Sequence, residues 1–338
     1  MNGVVDEYQR DSMRNHFHLI RNPVELELSS MESIIQFPNE RGEMLRGVLH
    51  TSESLNPAGT KQLVIFPNGG VMGSEGDYRA HVSMARHLAK GGYHVIRFSP
   101  AGLGYSEGQI SDCGQKNLYN QIENGLMVAD IRAAVNFAGT LDSFSSITLS
   151  GICGGAISSF LAAAEIDEVG YVIPIGIPVI LDDDCYDYNK RFSALDKHVV
   201  IRTYLDKITS IKAWLRLFSG TSDVTKIKSA ILAFFRGKGS YIGGENDKTK
   251  FLTNPLFSIA ARKIFRKQKK VLFVFGDSDG FWWEFQKLFL KKHYDGVRER
   301  PFDLYISHRS NHMLNIPEMQ LDVARTMLSW MDKHHGQA

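Results

Sequence analysis

Cys153 lies in the segment Leu149-Ser150-Gly151-Ile152-Cys153-Gly154-Gly155-Ala156, between a short apolar run and a run of small residues. The pattern Gly-x-Cys-x-Gly suits a nucleophile on a sharp strand-to-helix turn. Such a turn strains the backbone, and the neighbours two positions away must be small to avoid collision. The turn also sets the nucleophile at a helix N-terminus, where partial positive charge favours thiolate over thiol. Two glycines around a cysteine carry little weight alone; their position between a strand and a small-residue helix carries more. The plain alternative is an inert cysteine buried in a tight helix–sheet contact.

A nucleophile needs a base, and the base needs an orienting group. Two later segments offer both: Gly276-Asp277-Ser278-Asp279-Gly280 and Ser307-His308-Arg309-Ser310-Asn311-His312-Met313-Leu314. Each follows a run of strand character, so each reaches the same sheet edge as Cys153. Asp279 is the expected acid, with Asp277 capping its turn, and His312 is the expected base, with His308 structural. Acyl chemistry also requires donors aimed at a developing oxyanion. By position these are the backbone N–H of Gly154, after the nucleophile, and that of Gly70, or else Val71, after Pro67-Asn68-Gly69. The competing reading of Gly69-Gly70 is a simple turn.

These residues need a scaffold to converge. Met31 to Phe37 and Leu45 to Thr51 read as strands joined by a turn, and Gln62 to Phe66 as a buried strand. Arg79 to Lys90 reads as a helix, Tyr93 to Phe98 as a strand, and Asn117 to Phe137 as one long amphipathic helix. Strand Ile147 to Ser150, helix Cys153 to Glu165 and strand Val169 to Ile177 follow. The pattern resumes with strand Lys270 to Phe275, helix Phe281 to His293, strand Phe302 to Ile306 and a final helix from Pro317 to Lys333. Strands alternating with helices imply an α/β fold with a mostly parallel central sheet flanked by helices. The alternation lapses over residues 182–262, which are helical in pattern and include Trp214, Phe218, Phe234 and Phe235. The expected organisation is an N-terminal extension over 1–30, a core over 31–181 and 263–338, and a helical cap over 182–262.

Composition bounds the function. The 338 residues are 43% apolar and 22% charged, ordinary for a globular chain and unlike a disordered or collagenous one. Cys113, Cys153 and Cys185 are odd in number and lack both a disulfide framework and zinc-ligand spacing. Residues 1–22 contain no apolar signal region, and the longest apolar stretch, Val169 to Leu181, is interrupted by two prolines and two glycines. No transmembrane segment is expected, and the location is read as cytoplasmic. The formal net charge is +2, yet residues 190–270 hold 19 Lys and Arg against 5 Asp and Glu. That excess fits either a solvated helical face or an anionic partner such as an acyl group carried on coenzyme A or an acidic carrier protein. No nucleic-acid module accompanies it. The stretch from Phe98 to Gly108 lacks both the dinucleotide fingerprint and the P-loop Lys-Ser/Thr, which argues against nucleotide, and no cofactor is expected.

Across roughly residues 31–335 the chain resembles the α/β-hydrolase superfamily. The resemblance rests on the loop after the third strand, Gly102 to Gly108, the elbow at Cys153, the acid loop at Asp279 and the histidine loop at His312, in that order. Over residues 60–160 it most resembles the exosortase-A-system-associated hydrolases, whose elbow reads Gly-Leu-Cys. Dienelactone hydrolases and polyhydroxyalkanoate synthases are similar in using cysteine. Two departures stand out: Asn68-Gly69 replaces the usual His-Gly, and Ser99-Pro100-Ala101-Gly102 replaces the usual Asp-x-x-Gly. The resemblance implies the α/β-hydrolase fold. With the triad it gives an acyl-enzyme hydrolase acting on a small-molecule ester or thioester through acyl-Cys153. The same intermediate also serves an acyltransferase or condensing enzyme. A non-catalytic binding protein of this fold would be expected to show a damaged triad, whereas all three positions here hold competent residues.

Overall fold

A computed structural model describes residues 30–68, 70, 72–110, 114–180 and 253–335. Its centre is an eight-stranded sheet of order β1-β2-β4-β3-β5-β6-β7-β8. The strands are β1 (Ser30–Pro38), β2 (Met44–Ser52), β3 (Gln62–Pro67), β4 (His94–Ser99), β5 (Ser146–Ile152), β6 (Val169–Ile175), β7 (Lys270–Gly276) and β8 (Asp303–Ser307). Strand β2 runs antiparallel to both neighbours, and every pairing from β4 through β8 is parallel. The sequence explains the difference. Strand β2 alternates buried and half-buried positions, as a strand with one wet face does, while β3 is buried along its whole length.

Helices cover both faces. On one, α1 (Ala80–Lys90) and α7 (Pro317–His335) pack together over Val64, Phe66, Val95 and Val274. On the other lie α3 (Val128–Leu141), α4 (Gly154–Glu165), α5 (Pro255–Arg266) and α6 (Gly280–Phe285). Their core is aromatic: Phe160 stacks on Phe257 with centroids 5.1 Å apart, and Phe273 meets Phe285 at 4.7 Å. Trp282, beside the acid loop, joins this cluster through Phe275, so its ring packs with the core.

Three expectations change. The long helix over 117–137 is two helices, α2 (Gly114–Glu123) and α3. Gly125, at φ 93°, ends the first, with Leu126 N–H donating to Gln121 O in a Schellman-type cap. The apolar periodicity runs on across the break, which hides it. The helix expected over Phe281 to His293 is α-helical only to Phe285; Gln286–Leu290 is a π-helical turn before Lys291–His293. Finally, the cap boundary at 262 falls too late. Helix α5 buries Phe257, Ala260, Ala261 and Ile264 against α4 and belongs to the core.

The rest of the expected cap, and with it most of the basic excess, lies outside the described residues, as do residues 1–29 of the expected extension. The described chain leaves the core at Ile180 and returns at Thr253, and these two residues form an antiparallel bridge. Asn254 closes the junction: its N–H donates to Val179 O, its Oδ1 caps α5, and its Nδ2 donates to Glu123 O at the end of α2. No helix among the described residues is long and apolar enough to cross a membrane.

Candidate active site

Cys153 is the N-cap of α4, with φ 54° and ψ −115°, a conformation few non-glycine residues adopt. Its N–H donates to Ile175 O, which fixes the turn to the end of β6. The surrounding glycines are sterically required. A Cβ on Gly151 would stand 2.6 Å from the Gly155 carbonyl carbon, one on Gly154 would stand 2.7 Å from the Gly70 Cα, and one on Gly155 would collide with Asn68 O. The elbow therefore presses directly against the loop after β3.

Asp279 and His312 arrive from the ends of β7 and β8. Asp279 caps α6: one carboxylate oxygen accepts the Phe281 N–H at 2.9 Å, and the other lies 3.0 Å from His312 Nδ1. An ionised carboxylate only accepts, so Nδ1 carries the proton in this pairing. The Asp279 side chain is 2% exposed and that of His312 22%. The Phe281 ring meets the imidazole edge-on at 4.6 Å. Burial alone would depress the His312 pKa, but the charges of Asp279 and Cys153, with the Asp279 hydrogen bond, hold it well above 6.5. Asp279 and His312 are joined by a hydrogen bond, and Cys153 acts on the pair through its charge. His308 stands apart, 89% exposed and 3.7 Å from Asp277, whose carboxylate also accepts the Ser278 hydroxyl.

The two expected oxyanion donors differ. The Gly154 N–H lies in the first turn of α4, where no intrahelical acceptor exists. Gly70 sits against Gly154 as expected, but at φ 66° its N–H turns back to Asn68 O at 3.2 Å. In this conformation the Gly70 donor is engaged within its own loop, a correction to its expected orientation. Val71 lies outside the described residues, as do Cys113 and Cys185. Asn68 shapes this loop, its buried Nδ2 donating to Gly70 O at 2.8 Å and Met72 O at 2.5 Å. The unusual asparagine is thus the anchor of the loop.

Other residues of the site escaped the sequence reading. Gly176, at φ 57°, ends β6, and a Cβ there would stand 2.9 Å from both Asp279 Oδ2 and His312 Nδ1. Its signal is the sequence Pro174-Ile175-Gly176-Ile177-Pro178, which marks a turn inside the strand expected to run to Ile177. Tyr119 and Ile122 of α2 close over Gly70 and Gly154 from above; nothing in their spacing distinguishes them from core residues. The Gly102–Gly108 loop proves to be support. Asp130 accepts the Ala101 N–H and the Asn39 amide, Ser106 donates to Ser99 O, and Gly104 packs against Ser99 beside Gly73. No cluster of three potential metal ligands occurs among the described residues.

No protein-family model matches the sequence, and no curated protein matches it. Solved structures do. The chain is similar to the α/β hydrolase GrgF from Penicillium sp. sh18, with 16% identity, TM-score 0.52, and 91% of this chain and 100% of that one covered. It is similar to the esterase Pf2001 from Pyrococcus furiosus, with 14% identity, TM-score 0.52, and coverage of 92% and 96%. Hypothetical protein PA2218 from Pseudomonas aeruginosa matches at 16% identity and TM-score 0.54, with coverage of 91% and 95%. At such identities the likeness is one of fold: the chain has the α/β-hydrolase fold.

Proposed function

We propose that this protein is an acyl-enzyme hydrolase of esters or thioesters, with Cys153 as nucleophile, His312 as general base and acid, and Asp279 as the group that orients His312. The observation that carries the reading is Cys153 itself, held at φ 54° on a glycine-packed turn, with its charge acting on an imidazole that Asp279 braces from behind. Strained backbone of this kind persists where the surroundings impose it, and it concentrates at reactive sites. The pairing with esterase-like folds supports the same class.

The chemistry follows from the contacts. His312 accepts the Cys153 proton, and the sulfur attacks the substrate carbonyl carbon. The carbonyl π-electrons move to oxygen, where the Gly154 N–H receives them, joined by the Gly70 N–H when its long bond to Asn68 opens. Collapse of the tetrahedral adduct re-forms the carbonyl and breaks the bond to the leaving group, which takes the proton from His312. The acyl group now rests on Cys153 as a thioester. Water, deprotonated by His312, attacks that carbonyl; the carboxylic acid departs and the proton returns to sulfur. Asp279 balances the imidazolium at each stage. The insertion that leaves at Ile180 and returns at Thr253 is proposed as the cap over this site, since its junction lies four residues from Gly176.

Intact-protein mass spectrometry with a panel of acyl thioesters and activated esters tests the reading. A single acyl adduct is expected in the wild type, absent in Cys153→Ala and discharged by water. Turnover in Cys153→Ala would overturn it. An adduct stable in water and discharged by added thiol or amine would move the assignment to acyl transfer.

A further inference from the structure

Backbone strain gathers around Cys153 and His312. Six non-glycine residues among the described ones have positive φ, and five of them lie in the elbow, the loop after β3 and the loop after β8. They are Tyr78 at 48°, Arg79 at 60°, Cys153 at 54°, Arg309 at 56° and Leu314 at 46°. Such angles persist only where the surroundings over-determine them. For the His312 loop those surroundings include two side chains near the start of α7, the helix that follows it in the chain.

Gln320 is 4% exposed, and its Nε2 donates to Tyr78 O at 3.2 Å and to Leu314 O at 2.9 Å. A primary amide nitrogen has two N–H donors, so both are spent on the carbonyls of strained residues. Tyr78 belongs to the loop that opens with Asn68 and Gly70, and Leu314 lies two residues after His312. One buried amide therefore fixes the His312 loop against the loop that meets the elbow.

Asp322 holds the other side of His312. Its carboxylate accepts the Tyr305 hydroxyl at 2.9 Å and the Ser307 hydroxyl at 2.5 Å. Ser307 has only one proton to give, so in its 2.5 Å contact with Ser310 the Ser310 hydroxyl is the donor. Both serines are fully buried. A carboxylate at the end of such a chain sets the direction of each bond and strengthens it. Ser310 O accepts the Ser278 N–H of the acid loop at 3.0 Å and packs where a Cβ on Gly276 would stand. His312 is the middle residue between Ser310 and Leu314, so α7 holds its loop at a point on each side.

We propose that Gln320 and Asp322 are positioning residues for the base, keeping His312 aligned with Asp279 and Cys153 by fastening Leu314 and Ser310. This rests on the acyl-enzyme reading above and adds the side chains that set its geometry. An imidazole displaced by a fraction of an ångström loses proton transfer while substrate binding is spared.

Gln320→Met keeps the chain length and removes both donors; Asp322→Ala removes the acceptor of Ser307. Each is expected to lower kcat on one activated ester by about tenfold or more, with KM within about twofold. In each, the pH dependence of Cys153 alkylation by iodoacetamide, followed at that residue by mass spectrometry, should move toward the ~8.5 of an unassisted thiol. Asp322→Asn keeps an oxygen for Ser307 and should stay within about threefold of the wild type. The two sites act from opposite sides of one loop, so a folding defect in one variant leaves the other decisive. A lowered Tm with kcat and the alkylation profile unmoved would overturn the proposal, because α7 would then only stabilise the fold. So would a loss in Asp322→Asn as large as in Asp322→Ala. Alkylation of wild-type Cys153 with the profile of an unassisted thiol is a different failure, overturning the acyl-enzyme reading itself.

Discussion

Two aspartate–histidine pairs lie side by side on the same two loops, and only one is enclosed. Asp279 and His312 approach to 3.0 Å, with side chains 2% and 22% exposed, whereas Asp277 and His308 lie 3.7 Å apart with the histidine 89% exposed. The residue types are the same, and the acids are two positions apart. The loops zip together through Asp277 N–H to Ser307 O and Ser278 N–H to Ser310 O, so both pairs share one backbone frame. What separates them is the enclosure. Asp279 is locked by the Phe281 N–H, His312 is flanked by the Phe281 ring, and Gly176 leaves room for both. An ion pair gains strength where water is excluded and loses it to screening at the surface. Proximity in sequence to a strand end is therefore insufficient; a wall behind the pair is what turns it toward Cys153.

Substitution of the histidines should break the comparison most sharply. His312→Ala is expected to lower kcat/KM by about 10³-fold, since it removes both proton acceptor and proton donor. His308→Ala should stay within about twofold. Steady-state kinetics on one activated ester decides, and comparable losses in both variants would erase the distinction. The acids should follow in the same sense, with Asp279→Asn costing about 10²-fold or more and Asp277→Asn little.

A smaller effect separates enclosure from chemistry. Gly176→Ala leaves all three reactive groups in place but inserts a methyl 2.9 Å from both Asp279 Oδ2 and His312 Nδ1. The expected loss is about 10²-fold in kcat, because displacement of the pair by a fraction of an ångström misaligns proton transfer. Alkylation of Cys153 by iodoacetamide should slow in the same variant, and unchanged labelling and turnover would show that the wall at Gly176 is dispensable.

How much of this was legible in advance depended on whether the signal was local. The elbow could be read because part of its steric demand is local, Gly151 against Gly155, although Gly154 and Gly155 are also kept small by Gly70 and Asn68. The mostly parallel sheet could be anticipated from βα alternation, and the meeting of Asp279 with His312 from their places after strands. Gly176 was hidden because its need comes from Asp279 and His312, remote in sequence. Likewise the turn of the Gly70 N–H toward Asn68 O depends on a backbone angle that residue types do not specify. The break between α2 and α3 was masked for the opposite reason: apolar spacing on both sides suited one helix, and only the Asn124-Gly125 pair marked its end. Periodicity reports which face is buried, and a capped turn can preserve that face across an interruption.

The mildest test concerns stability. His312 has a folded-state pKa well above its ordinary 6.5, with burial opposing and Asp279 and Cys153 more than compensating. A group raised on folding contributes stability that is fully present below its unfolded pKa and is lost as pH rises through the folded value. The Tm advantage of the wild type over His312→Gln should therefore be largest below about pH 6.5 and shrink steadily on the alkaline side. His308→Gln, at an 89% exposed position, should leave Tm nearly unchanged throughout. Thermal melts at closely spaced pH values separate the outcomes: a gap for His312 that widens with rising pH would mean that burial, and not the charges behind it, governs this imidazole. The two histidines would then differ in depth alone, and the wall around Asp279 would have no electrostatic consequence.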